Sequence, residues 1–268
     1  MEFTEKRIPS RRNQAHQMIN GFLSSYTYHP GQSNLYKDFT ADPSCNQPFR
    51  HLLMSDCGNR CCYCMRNINS TTLEHVILRS TKEQGKYDEY FRIDSDLERD
   101  DMKMETSIAA NIGPHTPYPH SIAYENLIPS CFGHLASRDS KCCNIYRGEK
   151  FVHPLTFRRD IHQEVIYYDD GGIDWTAEPG DDPDGILTVS KLGLDCKELI
   201  IIRRIWHYLA SHHLTPETVD KDEMIYELLD LSTDEYEDEM IMQFKTPDYW
   251  RLIPQYDYFN NSTLFTSR

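Results

Sequence analysis

Residues 61–78 read CCYCMRNINSTTLEHVIL, and this stretch decides the fold that the sequence predicts. It opens with a C-x-x-C pair, Cys61 and Cys64, which has the spacing of a zinc knuckle. Its second half is rich in β-branched residues and predicts a strand. Glu74 and His75 stand side by side on that strand, so a carboxylate and an imidazole follow the knuckle closely.

A second group of thiols, Cys131 with Cys142 and Cys143, follows farther along the chain. Four thiolates in two groups suit a tetrahedral structural zinc site, because such a site needs soft ligands and no open position. The separation between Cys131 and the later pair is longer than usual, so the residues between them must loop out. His134 in that loop is an alternative ligand. The interpretation without metal is that some of these cysteines are small buried hydrophobic residues.

The chain has 268 residues, enough for one large domain or two small ones, and its composition is that of a globular protein. No apolar run is long enough to span a membrane, and the N-terminus lacks the apolar core of a signal peptide. We therefore expect a cytoplasmic protein with no membrane partner. In the cytoplasm, nine cysteines favour metal binding over disulfides. Eight of them lie before residue 144, which places the expected chemistry there.

The formal net charge of −14 is distributed unevenly along the chain. The first 160 residues carry 20 Lys and Arg against 19 Asp and Glu, a net charge of +1. Residues 161–268 carry 8 against 23, a net charge of −15. The first part can approach a polyphosphate, whereas the second repels it and suits a basic protein partner or solvent.

Three regions are predicted from these patterns. They are an N-terminal arm (1–47), a central domain (48–156) with a charged insertion (80–122), and an acidic C-terminal region (157–268). Apolar periodicity and end signals predict helices at 10–26, at 48–56, near 96–111, from Asn144, near 196–211, from Thr215 as N-cap, and near 233–244. The strands expected are 71–78, 164–168 and 186–190, and residues 27–47 are expected to form a loop.

Two further segments complete a recognisable order of motifs. YENLIPSC occupies residues 124–131, and CNIYRGEKF occupies residues 143–151. With the knuckle and the Glu-His pair, the set resembles the HNH endonuclease family. That family shows a C-x-x-C pair, an acidic residue before His, Asn-Leu before a Cys, and Cys followed by His or Asn, then a basic residue and Gly. Each piece alone is unspecific, but the ordered set is specific.

The resemblance is narrower still to the PtuB family, the HNH component of the Septu anti-phage system, which is also found beside some retrons. It covers roughly residues 45–210, with the strongest motifs in 57–153. It implies an α+β chain with a zinc-braced ββα-metal core, an N-terminal helical arm and a mostly helical acidic C-terminal region. It also implies metal-dependent hydrolysis of phosphodiester bonds.

The family assigns a role to each motif residue. His75 is the general base, a role that suits a side chain titrating near working pH. Asn126 holds the imidazole in one tautomer, through its amide or its backbone carbonyl. Glu74 and Asn144 hold the catalytic cation, Mg²⁺ or Mn²⁺, with water and phosphate completing the shell. The usual acid is Asp, and Asn is a weaker ligand than the more common His.

The remaining family assignments concern zinc and phosphate. The four zinc ligands are Cys61, Cys64, Cys131 and Cys143, with Cys142 as the alternative to the last. Arg147 is placed to approach phosphate as a cation. The other interpretation of Arg147 is an ordinary surface ion pair.

The family also implies a partner, an ATPase of the PtuA type, and nuclease activity that is held in check until infection. The acidic C-terminal region fits docking to such a partner, although acidic helices can also be plain solvated faces. DNA is the more expected substrate. The alternatives are a catalytically degenerate zinc-binding scaffold subunit and an RNA-directed nuclease acting on tRNA, since the expected site contacts phosphate and not sugar.

Overall fold

A computed structural model describes most of the chain. The described residues are 1, 4, 6–29, 34–93, 99–105, 112–136, 140–152, 155–157, 161–175, 188–254 and 265–266. They form a mixed α+β structure of helices with small sheets. Nowhere in these ranges is a helix both long enough and apolar enough to cross a membrane.

The helices are mostly short, and the strands pair in small sheets. The named helices are α1 (Pro9–Ser25), α2 (Leu35–Ala41), α3 (Asn46–Asp56), α4 (Gln84–Ile93), α5 (Cys143–Arg147), α6 (Ile161–Glu164), α7 (Lys197–Ser211), α8 (Lys221–Asp230), α9 (Glu235–Gln243) and α10 (Pro247–Trp250). The strands are β1 (Thr72–His75), β2 (Met102–Lys103), β3 (Tyr118–Pro119), β4 (Leu127–Ser130), β5 (Val165–Tyr168), β6 (Ile173–Trp175) and β7 (Phe265–Thr266).

The centre of the fold is the antiparallel pair of β1 and β4. Thr72 pairs with Ser130 and His75 pairs with Leu127, so the Glu-His pair lies at the end of β1 opposite the start of β4. Helix α3 packs against β4, and α1 packs against α3. Helix α1 begins with a proline in its first turn and turns one apolar face to the core. Helix α5 follows β4 along the chain and returns to β1.

The C-terminal region is built differently. Strands β5 and β6 form an antiparallel hairpin, and β7 adds to β5 in parallel. Helix α7 is buried on most sides and contacts α8 and α9. The two regions touch: the Cys143 amide donates to the Leu192 carbonyl (2.7 Å), and the Glu198 carboxylate accepts from the Ala136 amide (2.8 Å). The division at residues 156 and 157 stays a prediction.

Several predicted elements are confirmed within a few residues, namely α1, α3, α5, α7, α9, β1 and β5. Four local predictions are wrong. Residues 27–47 include helix α2, the described residues 99–105 contain β2 and no helix, and residues 188–190 are helical, not extended. Helix α8 begins at Lys221, because Asp220 caps the Asp222 and Glu223 amides while Thr215 and Thr218 close a separate turn.

Candidate metal and catalytic site

Four buried cysteines lie together where the two predicted thiol groups meet. The Sγ atoms of Cys61, Cys64, Cys131 and Cys143 all lie within 4.8 Å of one another. The Cys61–Cys143 separation is 3.7 Å and the Cys64–Cys131 separation is 3.9 Å. Tetrahedral zinc with Zn–S bonds of about 2.3 Å requires sulfur–sulfur distances of about 3.8 Å. The cluster therefore has the donor set and the spacing that zinc needs, and it can hold a zinc ion.

Two backbone turns bring the cysteines together. In the first, the Met65 amide donates to the Cys61 carbonyl at 2.9 Å, which closes the knuckle. In the second, a β-bridge between His134 and Lys141 closes the long loop between Cys131 and Cys142. Gly133 is required in this turn, because its φ is +73° and a Cβ there would lie 2.3 Å from a backbone oxygen.

The two alternative ligands are also located. The Cys142 Sγ lies 3.6 Å from the Cys143 Sγ, just beside the cluster of four. His134 is exposed and lies outside the cluster. Burial raises the pKa of the Cys143 thiol. Thiolates in such an enclosed cluster need a compensating cation, which a divalent metal would supply.

Arg147 on α5 is buried, with only 1% of its surface exposed. Its guanidinium pairs with Glu74 and donates to the carbonyls of His75 (2.5 Å) and Val76 (2.8 Å). Burial raises the pKa of Glu74, and the charge of Arg147 opposes that rise. Arg147 is thus neither a surface ion pair nor open to a phosphate. It fastens α5 to β1 and holds the Glu74 carboxylate.

His75 is held by a backbone group that the sequence motifs did not indicate. Its Nε2 lies 2.8 Å from the Ser121 carbonyl oxygen, and because a carbonyl only accepts, Nε2 carries the proton. Nδ1 therefore keeps the lone pair. Burial lowers the pKa of His75 to about 3, so the ring is neutral near pH 7. The ring of Tyr36 on α2 meets the imidazole edge to face, with centroids 4.8 Å apart.

Asn126 contacts the backbone beside His75 and not its ring. Its amide donates to the carbonyls of Ile77 (3.0 Å) and His120 (2.7 Å), and its Oδ1 accepts from the Ile77 amide (2.7 Å). The expected direct hold on the imidazole is absent from these contacts. Asn126 instead binds the backbone carbonyl of His120. His120 directly precedes Ser121, whose carbonyl holds the His75 ring. No sequence signal marks Ser121, since any residue provides a carbonyl.

Asn144 lies at the start of α5, facing β1. Its Nδ2 donates to the Thr72 Oγ1 at 3.0 Å, so its Oδ1 is the oxygen left for a ligand. Thr72 and Glu74 are two residues apart on β1, so their side chains lie on the same face of the strand. One helical turn after Asn144, Arg147 contacts Glu74 on that same face. Glu74 and Asn144 thus belong to facing surfaces of β1 and α5.

No protein-family model matches this chain, and a search of curated proteins and a search of solved structures likewise give no match.

Proposed function

We propose that the chain is a metal-dependent HNH endonuclease that hydrolyses phosphodiester bonds and acts with an ATPase partner in anti-phage defence. The observation that carries this proposal is the antiparallel pair of β1 and β4 followed by α5, joined by the four-cysteine cluster. The order of these elements and the possible zinc site support the proposal of a ββα-metal core braced by zinc. Glu74 and Asn144 lie on facing surfaces of β1 and α5, and His75 is the next residue of β1.

The proposed base is the neutral imidazole of His75. The Ser121 carbonyl fixes its tautomer, which leaves Nδ1 to take a proton from the attacking water. Burial lowers the pKa of the ring, which keeps it neutral at physiological pH but also makes it a weaker base than a histidine that titrates near working pH, so its basicity would rise as water enters the site. His75 is 9% exposed, and the Tyr36 ring covers part of it, which narrows the path by which water reaches the imidazole. Such cover is compatible with an activity that is held in check.

Glu74 and the Asn144 Oδ1 are hard oxygen donors on facing elements, which suits Mg²⁺ or Mn²⁺. When bound, the cation would neutralise charge on the phosphate. Arg147 is assigned a positioning role, since it orients the Glu74 carboxylate. The substrate assigned is DNA, with RNA such as tRNA as the alternative, because none of these groups distinguishes the two sugars.

The partner is assigned to the acidic C-terminal region. A groove of about 620 Å³ lies there between the β5–β6 turn and helices α7 to α9. Its charged lining is mainly carboxylate, including Asp169, Asp195 and Glu227, while Arg204 donates to the Leu228 carbonyl and pairs with Glu237. Leucine and isoleucine side chains form its apolar walls. By charge complementarity, we assign as occupant a basic segment of the PtuA-type ATPase subunit.

A second candidate function is a degenerate zinc-binding scaffold. Two observations favour it: the Glu74 carboxylate is already bound by Arg147, and His75 is nearly enclosed. This candidate shares the zinc cluster and the partner but predicts no cleavage.

A cleavage assay separates the two candidates. Plasmid DNA and tRNA are incubated with Mg²⁺ or Mn²⁺ and the wild-type chain, the His75→Ala or His75→Gln variant, or the matched control His51→Ala on an exposed face of α3. Each protein is tested alone and with the ATPase subunit, after its zinc content is checked. Cleavage by the wild type and the control, lost in both His75 variants, supports the nuclease. A zinc-loaded wild type that cleaves nothing under any condition supports the scaffold.

A further inference from the structure

We propose that Arg79 is the phosphate-binding cation of this site and that Tyr36 positions it beside His75. This inference rests on the proposed nuclease function and deepens it. It gives the substrate backbone a contact that Arg147, enclosed in the core, cannot make.

Arg79 has the exposure and the freedom that anion binding requires. It lies in the turn that follows β1, and its side chain is exposed. Within the described part of the chain, no carboxylate forms an ion pair with it. A guanidinium presents a planar set of N–H donors that matches two oxygens of a phosphate.

Three other cations near β1, among the residues that the structure describes, are already engaged. Arg50 donates from its Nε to the Asn46 side chain at 2.7 Å and from its Nη1 to the Thr71 carbonyl. The Lys82 ammonium donates to the Glu105 carbonyl at 3.5 Å. Arg147 is committed to Glu74 and to backbone carbonyls. Arg79, by contrast, makes no hydrogen bond or ion pair with its side chain among the described residues, so its N–H donors stay available for a ligand.

Tyr36 links Arg79 to the candidate base. The guanidinium carbon of Arg79 lies 4.5 Å from the centroid of the Tyr36 ring, within the range of a cation–π contact. The same ring meets His75 edge to face, and its hydroxyl donates to the Leu73 carbonyl at 3.5 Å. Arg79 and His75 are therefore separated by no more than one aromatic ring.

This arrangement suggests how a phosphodiester is placed. A guanidinium stacked on a ring keeps its N–H groups directed outward at its edge, where phosphate oxygens can bind. A backbone phosphate held there lies on the side of the Tyr36 ring that Arg79 occupies, one aromatic ring from the proposed base. Tyr36 comes from the N-terminal arm and Arg79 from the central domain, so the arm contributes to substrate binding as well as to cover.

Binding and cleavage are measured separately to test this inference. The affinity of a fluorescein-labelled DNA duplex is followed by fluorescence anisotropy at several salt concentrations, without added Mg²⁺. The variants are Arg79→Gln, Arg79→Lys, Tyr36→Leu and the matched control Arg92→Gln, an exposed arginine on α4. Losing one phosphate contact should lower the slope of log affinity against log salt by about one and weaken binding about threefold to tenfold. The control should behave as the wild type.

Cleavage of the same duplex with Mg²⁺ completes the test. We expect Arg79→Gln to lower kcat/KM about tenfold or more. Arg79→Lys should keep the salt slope of the wild type but only part of its rate, because lysine has the same charge but lacks the paired N–H donors of a guanidinium. Tyr36→Leu should keep the salt slope near that of the wild type and lower kcat. Unchanged salt slope and unchanged cleavage in Arg79→Gln would overturn the inference. A wild type that binds through Arg79 but never cleaves overturns the nuclease proposal and leaves the phosphate contact standing.

Discussion

The central β1–β4 pair and the C-terminal helices are stabilised by a different balance of interactions. Around β1, β4 and α5, the buried contacts are thiols, an enclosed ion pair between Arg147 and Glu74, and side chains bound to backbone carbonyls. In the C-terminal region, α7 buries Ile201, Ile202, Ile205 and Leu209 among α8 and α9. Its buried charged side chains are fewer than its apolar ones, and each binds a backbone group: Glu198, Arg203 and Arg204. A core built from specific polar contacts fixes a few groups accurately but depends on each of them. A core built from apolar helices tolerates change at its surface, where a partner can be selected.

Removing a zinc ligand should have the largest effect. Cys64→Ser takes away one of four donors, so we expect zinc content to fall from about one per chain to near zero and stability to drop by at least about 3 kcal/mol. Metal content by atomic absorption and thermal unfolding measure both effects. The matched control is Cys196→Ser, at a half-buried cysteine outside the cluster. Equal zinc content in Cys64→Ser and wild type would contradict the cluster as a zinc site.

Breaking the enclosed ion pair should come next. Arg147→Met leaves the Glu74 carboxylate buried without its partner, which costs about 3–5 kcal/mol. Chemical denaturation measures the loss, and the double variant Arg147→Met with Glu74→Gln should recover part of it because the uncompensated charge is gone. Lys197→Met removes an exposed pair with Asp234 in the C-terminal region and should leave the unfolding midpoint unchanged. Equal losses for the two single variants would remove the contrast between the regions.

The same contrast explains what the sequence could predict. The pair Cys61 and Cys64 follows from thiol spacing, which is local information, whereas Cys143 was preferred to Cys142 from the motif order. The structure confirms that the four cysteines meet. Helices α1 and α7 follow from apolar periodicity. Glu74, His75 and Asn144 were selected by motif order, and their catalytic roles stay predictions.

Other features depend on packing that the sequence does not display. Arg147 stands before a glycine in a short polar segment and gave no sign of burial, because only the return of α5 to β1 encloses it. Ser121 acts through its backbone carbonyl, a group that every residue type has, so the sequence does not mark it. Helix α2 was overlooked among Pro, Gly and Ser, although Asn34 caps it by accepting from the Lys37 amide.

Charge reversal in the acidic groove should have the smallest effect on stability. Its effect on partner binding should be measurable. Glu227 is an exposed residue of α8 that lines the groove, and Glu239 is an exposed residue of α9 outside the groove lining. Glu227→Lys and Glu239→Lys change the net charge equally, so a difference between them reports position and not total charge. We expect both variants to unfold like the wild type, since neither side chain is part of the core.

Affinity for the PtuA-type ATPase subunit, measured by surface plasmon resonance, should fall about tenfold for Glu227→Lys, because a cation in the groove repels a basic segment. Glu239→Lys should bind nearly as the wild type does. The loss should shrink at high salt, where screening weakens the charge term. Equal affinities for the two variants would show that the groove is not the docking site, and equal losses would show that general acidity, not this groove, attracts the partner. The two regions would then differ in how they are stabilised but not in the division between chemistry and partner selection.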